Sequence, residues 1–158
     1  MDKNIGQAEG FTNYTVFSLW DTYRALHPLF NLVQRDINAD IVNSMLAHYD
    51  KSVEHMLPVW SFYGNETWCM IGYHAVSVIA DAIMKDVKGF DYERASEAMK
   101  TTATNPNYDF LPEYPVLGWV PFDKEKESVS KSLEYANDDY CIDQVANKPG
   151  KTEDYEFF

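Results

Sequence analysis

The chain has 158 residues, 46% of them hydrophobic and 24% charged, a balance that suits a packed globular chain rather than a disordered one. Thirteen Lys and Arg stand against 25 Asp and Glu, a net charge of −12 that repels phosphate backbones and anionic lipid and argues against nucleic-acid or membrane-surface roles. Aromatic residues make up 15% (11 Tyr, 9 Phe, 4 Trp), and abundant acids and rings suit both sugar sites and many ordinary acidic domains. The longest apolar stretch, Cys69 to Met84, is interrupted by His74 and Asp81 and falls short of the ~20 residues of a membrane span.

In chain order, Phe11 to Leu19 alternates Phe11, Tyr14, Val16 and Phe17 with polar residues and reads as extended. Trp20-Asp21-Thr22 offers a cap, and Leu26, Leu29, Phe30 and Val33 follow at helical spacing, with Pro28 tolerated in a first turn. Asp36 and Asn38 are candidate caps for a stronger helix with one apolar stripe: Val42, Met45, Leu46, Tyr49, Val53 and Met56. Leu57-Pro58 ends it. Val59 to Asn65 is then an aromatic loop with Trp60, Phe62 and Tyr63.

Thr67 is the candidate cap of a helix running to about Lys88, apolar nearly all round and stopped by Gly89. Asp91 caps a shorter helix with Ala95, Ala98 and Met99. Asn105 to Asp123 is an irregular loop with four prolines. Ser128 starts another helix, whose apolar face is Val129, Leu133, Ala136 and Tyr140, ending near Asn147. After Pro149-Gly150, Lys151 to Asp154 reads as the start of one more. The expectation is an all-α chain of about five helices, joined by long aromatic and proline-rich loops, with almost no strand.

Cys69 and Cys141 cannot form a disulfide framework; both fall in helix-like stretches and read as buried free thiols. His48 and His55 are about two helical turns apart, too far to share a metal, and Cys69 and His74 do not face each other, so no zinc or iron site is expected. His74, on an apolar helix, reads first as a core histidine. Asp21 is either a cap or a carboxylate beside Trp20 that grips a polar ligand. Glu66 is either an acid at a helix N-terminus or a carboxylate at a cavity floor flanked by Trp60, Tyr63 and Trp68. Asn13-Tyr14-Thr15 and Asn65-Glu66-Thr67 match the short glycosylation pattern. Asp138-Asp139 with Asp143 resembles the Asp-rich metal-diphosphate motif of helical prenyl-transfer enzymes, with its third Asp one place late.

Longer stretches carry a more specific resemblance. Gly10 to Leu29 (GFTNYTVFSLWDTYRALHPL), Asn65 to Val76 (NETWCMIGYHAV) and Ser128 to Ala136 (SVSKSLEYA), with Asp138 to Ile142 following in order, resemble the catalytic domain of the calcium-dependent exo-acting α-mannosidases of glycoside hydrolase family 92. The resemblance implies that residues 1–158 are part of an (α/α)6 toroid, lacking the toroid's remainder and an N-terminal β-sandwich. It implies hydrolysis of terminal α-mannose from glycans with inversion. It places Trp20 and Asp21 in the terminal-mannose subsite, with Glu66, Trp60 and Trp68 near the same pocket floor.

Inversion requires a general acid and a general base ~6.5–9.5 Å apart. The resemblance places both beyond Phe158, together with the calcium ligands, so this chain alone is expected to be inactive and to complete no calcium site. It implies mannose-containing glycans as partners and an exported parent protein, although no signal peptide follows Met1. An all-round apolar helix with few partners also predicts self-association. The alternative is a non-enzymatic helical binding module derived from the same family; a third reading, diphosphate chemistry, rests on the Asp138 region.

Overall fold

The computed structural model describes residues 6–15 and 17–148. The expected helix start at Lys151 lies outside the described residues. Among those residues the chain is mostly helical, as expected: α1 (Leu19–Thr22), α2 (Leu26–Val33), α3 (Arg35–Lys51), α4 (Ala75–Met84), α5 (Tyr92–Ala103), α6 (Tyr114–Leu117) and α7 (Ser128–Asn147), the four-residue α1 and α6 lying where no helix was expected. Two short antiparallel strands, β1 (Ser61–Phe62) and β2 (Asn65–Glu66), form a hairpin with Ser61 opposite Glu66.

The most buried helix is α4, which packs on α7 and also touches α2, α3 and α5. Val76, Val78, Ile79, Ala82 and Ile83 are sealed from solvent, along with Val42, Met45 and Leu46 of α3 and Ala95, Ala98 and Met99 of α5. Burying side chains of this size contributes ~1.5–3 kcal/mol for each large apolar one. The described part of the opening segment forms no regular element and docks on α3: Thr12 N–H donates to Asp40 (3.1 Å) and Tyr14 N–H to Ser44 Oγ (2.9 Å). Asp91 is the N-cap of α5, accepting from Arg94 N–H at 3.1 Å.

Several expectations fail at element boundaries. Helix α3 stops at Lys51, where Ser52 turns to extended backbone, so Val53 is 65% exposed and Met56 is buried from a loop. Gln34 occupies its N-cap position; Asn38 lies inside the helix, where its amide donates to Asn31 Oδ1 (2.5 Å) and its oxygen faces His27 Nδ1 (3.2 Å). The helix expected from Thr67 begins only at Ala75. Residues 67–74 instead form turns in which Trp68 and Gly72 take positive φ, 59° and 77°, and interrupt a helix that composition alone favours. Cys69 is therefore exposed in a loop; Cys141 lies half-buried in α7.

Two helices turn the opposite face inward from the one their apolar spacing predicts. On α7, Val129 (72%), Leu133 (68%) and Tyr140 (60%) are exposed, and Ser128, Lys131, Tyr135 and Asp138 are buried. On α2, Leu29 and Val33 are exposed while His27 and Asn31 are buried. The buried polar groups satisfy one another. Asn31 Nδ2 donates to Asp81 (2.7 Å), and Lys131 Nζ donates to Asp109 (2.9 Å) and Glu125 (2.8 Å). Burial pushes the Lys131 ammonium down, but its bonds to Glu125 and Asp109 outweigh this and hold it above its ordinary range. The long 105–123 segment is thereby pinned to α7, helped by Tyr135 OH donating to Asp109 O (2.7 Å) and Val120 N–H donating to Ser132 Oγ (2.8 Å).

Candidate functional site

The five residues singled out for sugar binding fall into two groups. Trp20 and Asp21 sit on α1; Trp60, Glu66 and Trp68 sit around the hairpin. The groups are joined where Leu19 N–H donates to Val59 O (3.1 Å), one residue from each.

Glu66 is neither a helix-terminal acid nor an open cavity floor. It lies on β2, 5% exposed, and its carboxylate accepts from the backbone amides of Val59 (2.6 Å), Trp60 (3.1 Å), Thr67 (2.8 Å) and Trp68 (3.3 Å). It fixes the two loop tryptophans by their backbones, and it has no lone pair to spare for a hydroxyl group. Thr67, expected as a helix cap, donates its hydroxyl to Trp60 O (2.7 Å) and closes the same loop. Trp60 and Trp68 remain 37% and 38% exposed, and Trp68 packs on Tyr108 with centroids 5.4 Å apart.

Asp21 is exposed and accepts from Ser18 Oγ, not from a helix backbone amide. Its neighbour Trp20 belongs to a constellation that the sequence spacing does not show. Arg24 lies over the Trp20 ring (4.8 Å to the centroid) and over Tyr23 (4.6 Å); Tyr23 in turn stacks on His74 (4.0 Å, 14° between planes). One carboxylate, Glu134 of α7, runs along the edge of this stack. It accepts from Trp20 Nε1 (3.3 Å), Tyr23 OH (3.0 Å) and Arg24 Nη2 (3.0 Å). His74 Nε2 faces it at 3.4 Å, within ion-pair reach but too poorly aligned for a hydrogen bond. Burial first, and then Glu134, push the Tyr23 hydroxyl up to about 12, so it stays a donor.

Behind His74 lies Asp138, fully buried, accepting from His74 Nδ1 (3.0 Å) and Tyr73 N–H (2.8 Å). Burial raises its pKa, and the hydrogen bond from His74 opposes the rise. A carboxylate so enclosed cannot share a metal-diphosphate ligand, which removes the Asp-rich reading. Gly72 makes room for this packing: a Cβ there would stand 2.5 Å from the His74 ring, and its φ of 77° suits glycine alone. His74 is thus a core histidine, as first read, with a carboxylate on each side.

Asp139, the next residue, accepts from Tyr73 OH at 2.6 Å. Its carboxyl is pushed up to about 6, first by burial and further by Asp138, against the pull of the Tyr73 hydroxyl. An acid that titrates higher in the folded chain adds stability below its ordinary pKa of about 3.9, and loses it as pH rises through about 6. Buried His27 and His48, held below their ordinary range, change stability in the opposite sense, losing it as pH falls. Comparing the wild type with Asp139→Asn cancels the histidines. The variant's relative unfolding free energy should rise by about 2 kcal/mol between pH 4 and about pH 7, measured by urea denaturation. A pH-independent difference contradicts the assignment.

Size and chemistry point to different concavities. The larger, about 450 Å³, lies between the opening segment and α3, lined by Phe11, Asn13, Tyr14, Asn43, His48 and Arg94. A cleft of about 310 Å³ borders Tyr23, Arg24, Asp81 and Tyr140, beside the Glu134 constellation. The site is assigned by its converging charges and rings rather than by volume. Glu134, Arg24 and Tyr23 escape a reading by residue type, and Asp138 was singled out only for the Asp-rich pattern; the visible sign was Glu134 and Asp138 at i, i+4 on one helix. Among the described residues, no group of three or more His, Cys, Asp or Glu side chains is placed to hold a metal ion, and no helix is long and apolar enough to cross a membrane.

The comparisons with known proteins agree with one another. Curated proteins give no match. The chain is similar to solved structures of the family GH92 α-mannosidase BT3965 from Bacteroides thetaiotaomicron, with mannoimidazole bound and without it. Each is 79% identical with a TM-score of 0.94 over 98% of this chain, and the match covers 20% and 21% of those chains. It is also similar to the family GH92 inverting mannosidase BT2199 from B. thetaiotaomicron VPI-5482, at 33% identity and a TM-score of 0.83, over 92% of this chain and 20% of that one. The chain thus spans about a fifth of the length of the structures it matches. The profile of the glycosyl hydrolase family 92 catalytic domain matches residues 1–158, and the chain belongs to that family of α-mannosidases.

Proposed function

We propose that this chain supplies part of the wall that binds terminal mannose in an exo-acting, inverting α-mannosidase acting on mannose-containing glycans. The observation that carries the reading is an exposed carboxylate, Asp21, with Ser18 Oγ as its hydrogen-bond donor, next to a ring held in place, Trp20, in a chain 79% identical to an α-mannosidase solved with mannoimidazole bound. Asp21 accepts from sugar hydroxyls, and the open face of Trp20 stacks on the C–H face of the ring. Trp60 and Trp68, fixed through Glu66, extend the aromatic surface.

The catalytic acid and base belong to other segments of the longer enzyme. The carboxylates nearest Trp20 are already committed: Glu134 to three donors, Asp138 to His74 and Tyr73. Calcium belongs to that longer enzyme as well, and no step on this chain runs through it. The parent enzyme is exported to the periplasm or the cell surface.

The test is paired. By calorimetry, the chain binds mannoimidazole and releases no mannose from a mannobiose. Asp21→Ala weakens binding at least about tenfold, the cost of a charged hydrogen bond. Mannose release abolished by Asp21→Ala would overturn the division of labour. Absence of binding by the wild type overturns the mannose wall and favours the non-enzymatic helical module.

A further inference from the structure

The Glu134 carboxylate has about four acceptor positions and three hydrogen-bond donors on them, with the His74 ring nitrogen closing the fourth side. Its side chain is 15% exposed. A carboxylate saturated in this way has nothing left to offer a ligand, but it fixes everything attached to it. The Trp20 indole N–H is spent on Glu134, and one face of the ring is covered by Arg24, whose own guanidinium is held by Glu134 and by Trp20 O (3.1 Å). Trp20 is half-buried, so a ligand can meet its ring only on the face that Arg24 leaves uncovered, and the following residue is the exposed Asp21.

We propose that Glu134 is a positioning residue that clamps Trp20 and Arg24 across the α1–α7 contact and so sets the direction in which the open Trp20 face and the Asp21 carboxylate point. The Asp138–His74 pair braces Glu134 from behind, its ring seated by Gly72 and stacked on Tyr23. The clamp itself is read from geometry alone; its consequence for sugar binding rests on the mannose-wall reading above. An isolated exposed Arg–carboxylate pair contributes little. Here the same carboxylate also takes two uncharged donors, Trp20 on α1 and Tyr23 at its C-cap, which an ion pair alone does not require.

The test uses the full chain labelled with ¹⁵N and follows the indole N–H signals of its tryptophans, with Trp20→Phe assigning the one from Trp20. In Glu134→Leu the Trp20 signal moves to the position of a water-exposed indole, and those of Trp60, Trp68 and Trp119 stay in place. Glu134→Gln keeps the shape with a weaker acceptor and moves the signal part-way; it decides the matter if the leucine variant fails to fold. His74→Phe keeps the ring on Tyr23 but removes both nitrogens, and shifts the Trp20 signal in the same direction by less. A Trp20 signal unchanged in Glu134→Leu, or in Glu134→Gln if only that variant folds, overturns the clamp.

Mannoimidazole affinity is measured in parallel, falling at least about tenfold in Glu134→Leu and partly recovering in Glu134→Gln. A shifted indole with affinity unchanged overturns the positioning role. If the wild type binds no mannoimidazole, the mannose wall fails, and the indole signals still decide the clamp.

Discussion

Replacing Asp138 with alanine lowers the unfolding free energy by about 3–5 kcal/mol, a large share of the total stability of a chain this size. The side chain is fully buried between His74 Nδ1 and the Tyr73 amide. Its removal strands a buried imidazole facing Glu134 and leaves a backbone N–H without a partner, in the contact between α4 and α7 where the core is densest. Asp138→Asn keeps an acceptor for the Tyr73 amide and for His74, so its loss is smaller, about 1–2 kcal/mol. Urea denaturation followed by circular dichroism measures both. An alanine variant within about 0.5 kcal/mol of the wild type contradicts the role of Asp138 as the centre of this packing.

Glu66→Ala is expected to cost about 2–4 kcal/mol, because it unpairs as many as four backbone amides around the hairpin. The loss has a local signature that distinguishes it from that of Asp138. Trp60 and Trp68 are held through those amides, so their fluorescence shifts toward that of solvated indole while the helical signal persists. Equal melting of helix and hairpin signals with no change in tryptophan emission before the transition contradicts a stapling role.

The longer helices were legible in the sequence, whereas α1 and α6, of four residues each, fall where a cap and an irregular loop were expected. Apolar spacing located α2, α3, α5 and α7, and Asp91 marked the start of α5. What spacing could not show was which face turns inward. On α2 and α7 the buried side carries polar groups that satisfy one another, His27, Asn31, Asn38 and Asp81 in one set and Lys131, Asp109 and Glu125 in the other, beside the buried Tyr135, Ile142 and Val145 of α7. The rule that an apolar stripe faces the core assumes that the core is the only surface a helix must match. Val129, Leu133 and Tyr140 are exposed in this chain.

The start of α4 was misread for a different reason. Residues 67–74 are apolar enough for a helix, but positive φ at Trp68 and Gly72 turns the backbone, and Gly72 is needed there because His74 leaves no room for a Cβ. For the site, Trp20 and Asp21 could be named from the resemblance, whereas Glu134 could not. Its partners are 110 to 114 residues away, and a hydrogen bond of that sequence separation leaves no local pattern. The functional meaning of Glu66 changed in the same way: its burial and its four amide donors make it a support for Trp60 and Trp68 rather than a ligand for sugar.

The central claim is that mannose is met at the Trp20–Asp21 surface, and a titration of the ¹⁵N-labelled chain with mannoimidazole tests it most directly. The account predicts that the signals moving first and furthest belong to Trp20, Asp21 and their neighbours on α1, followed by the Trp60 and Trp68 indoles across the Leu19–Val59 link. Movement confined to Asn13, Asn43, His48 and Arg94, around the larger cavity beside α3, would contradict it.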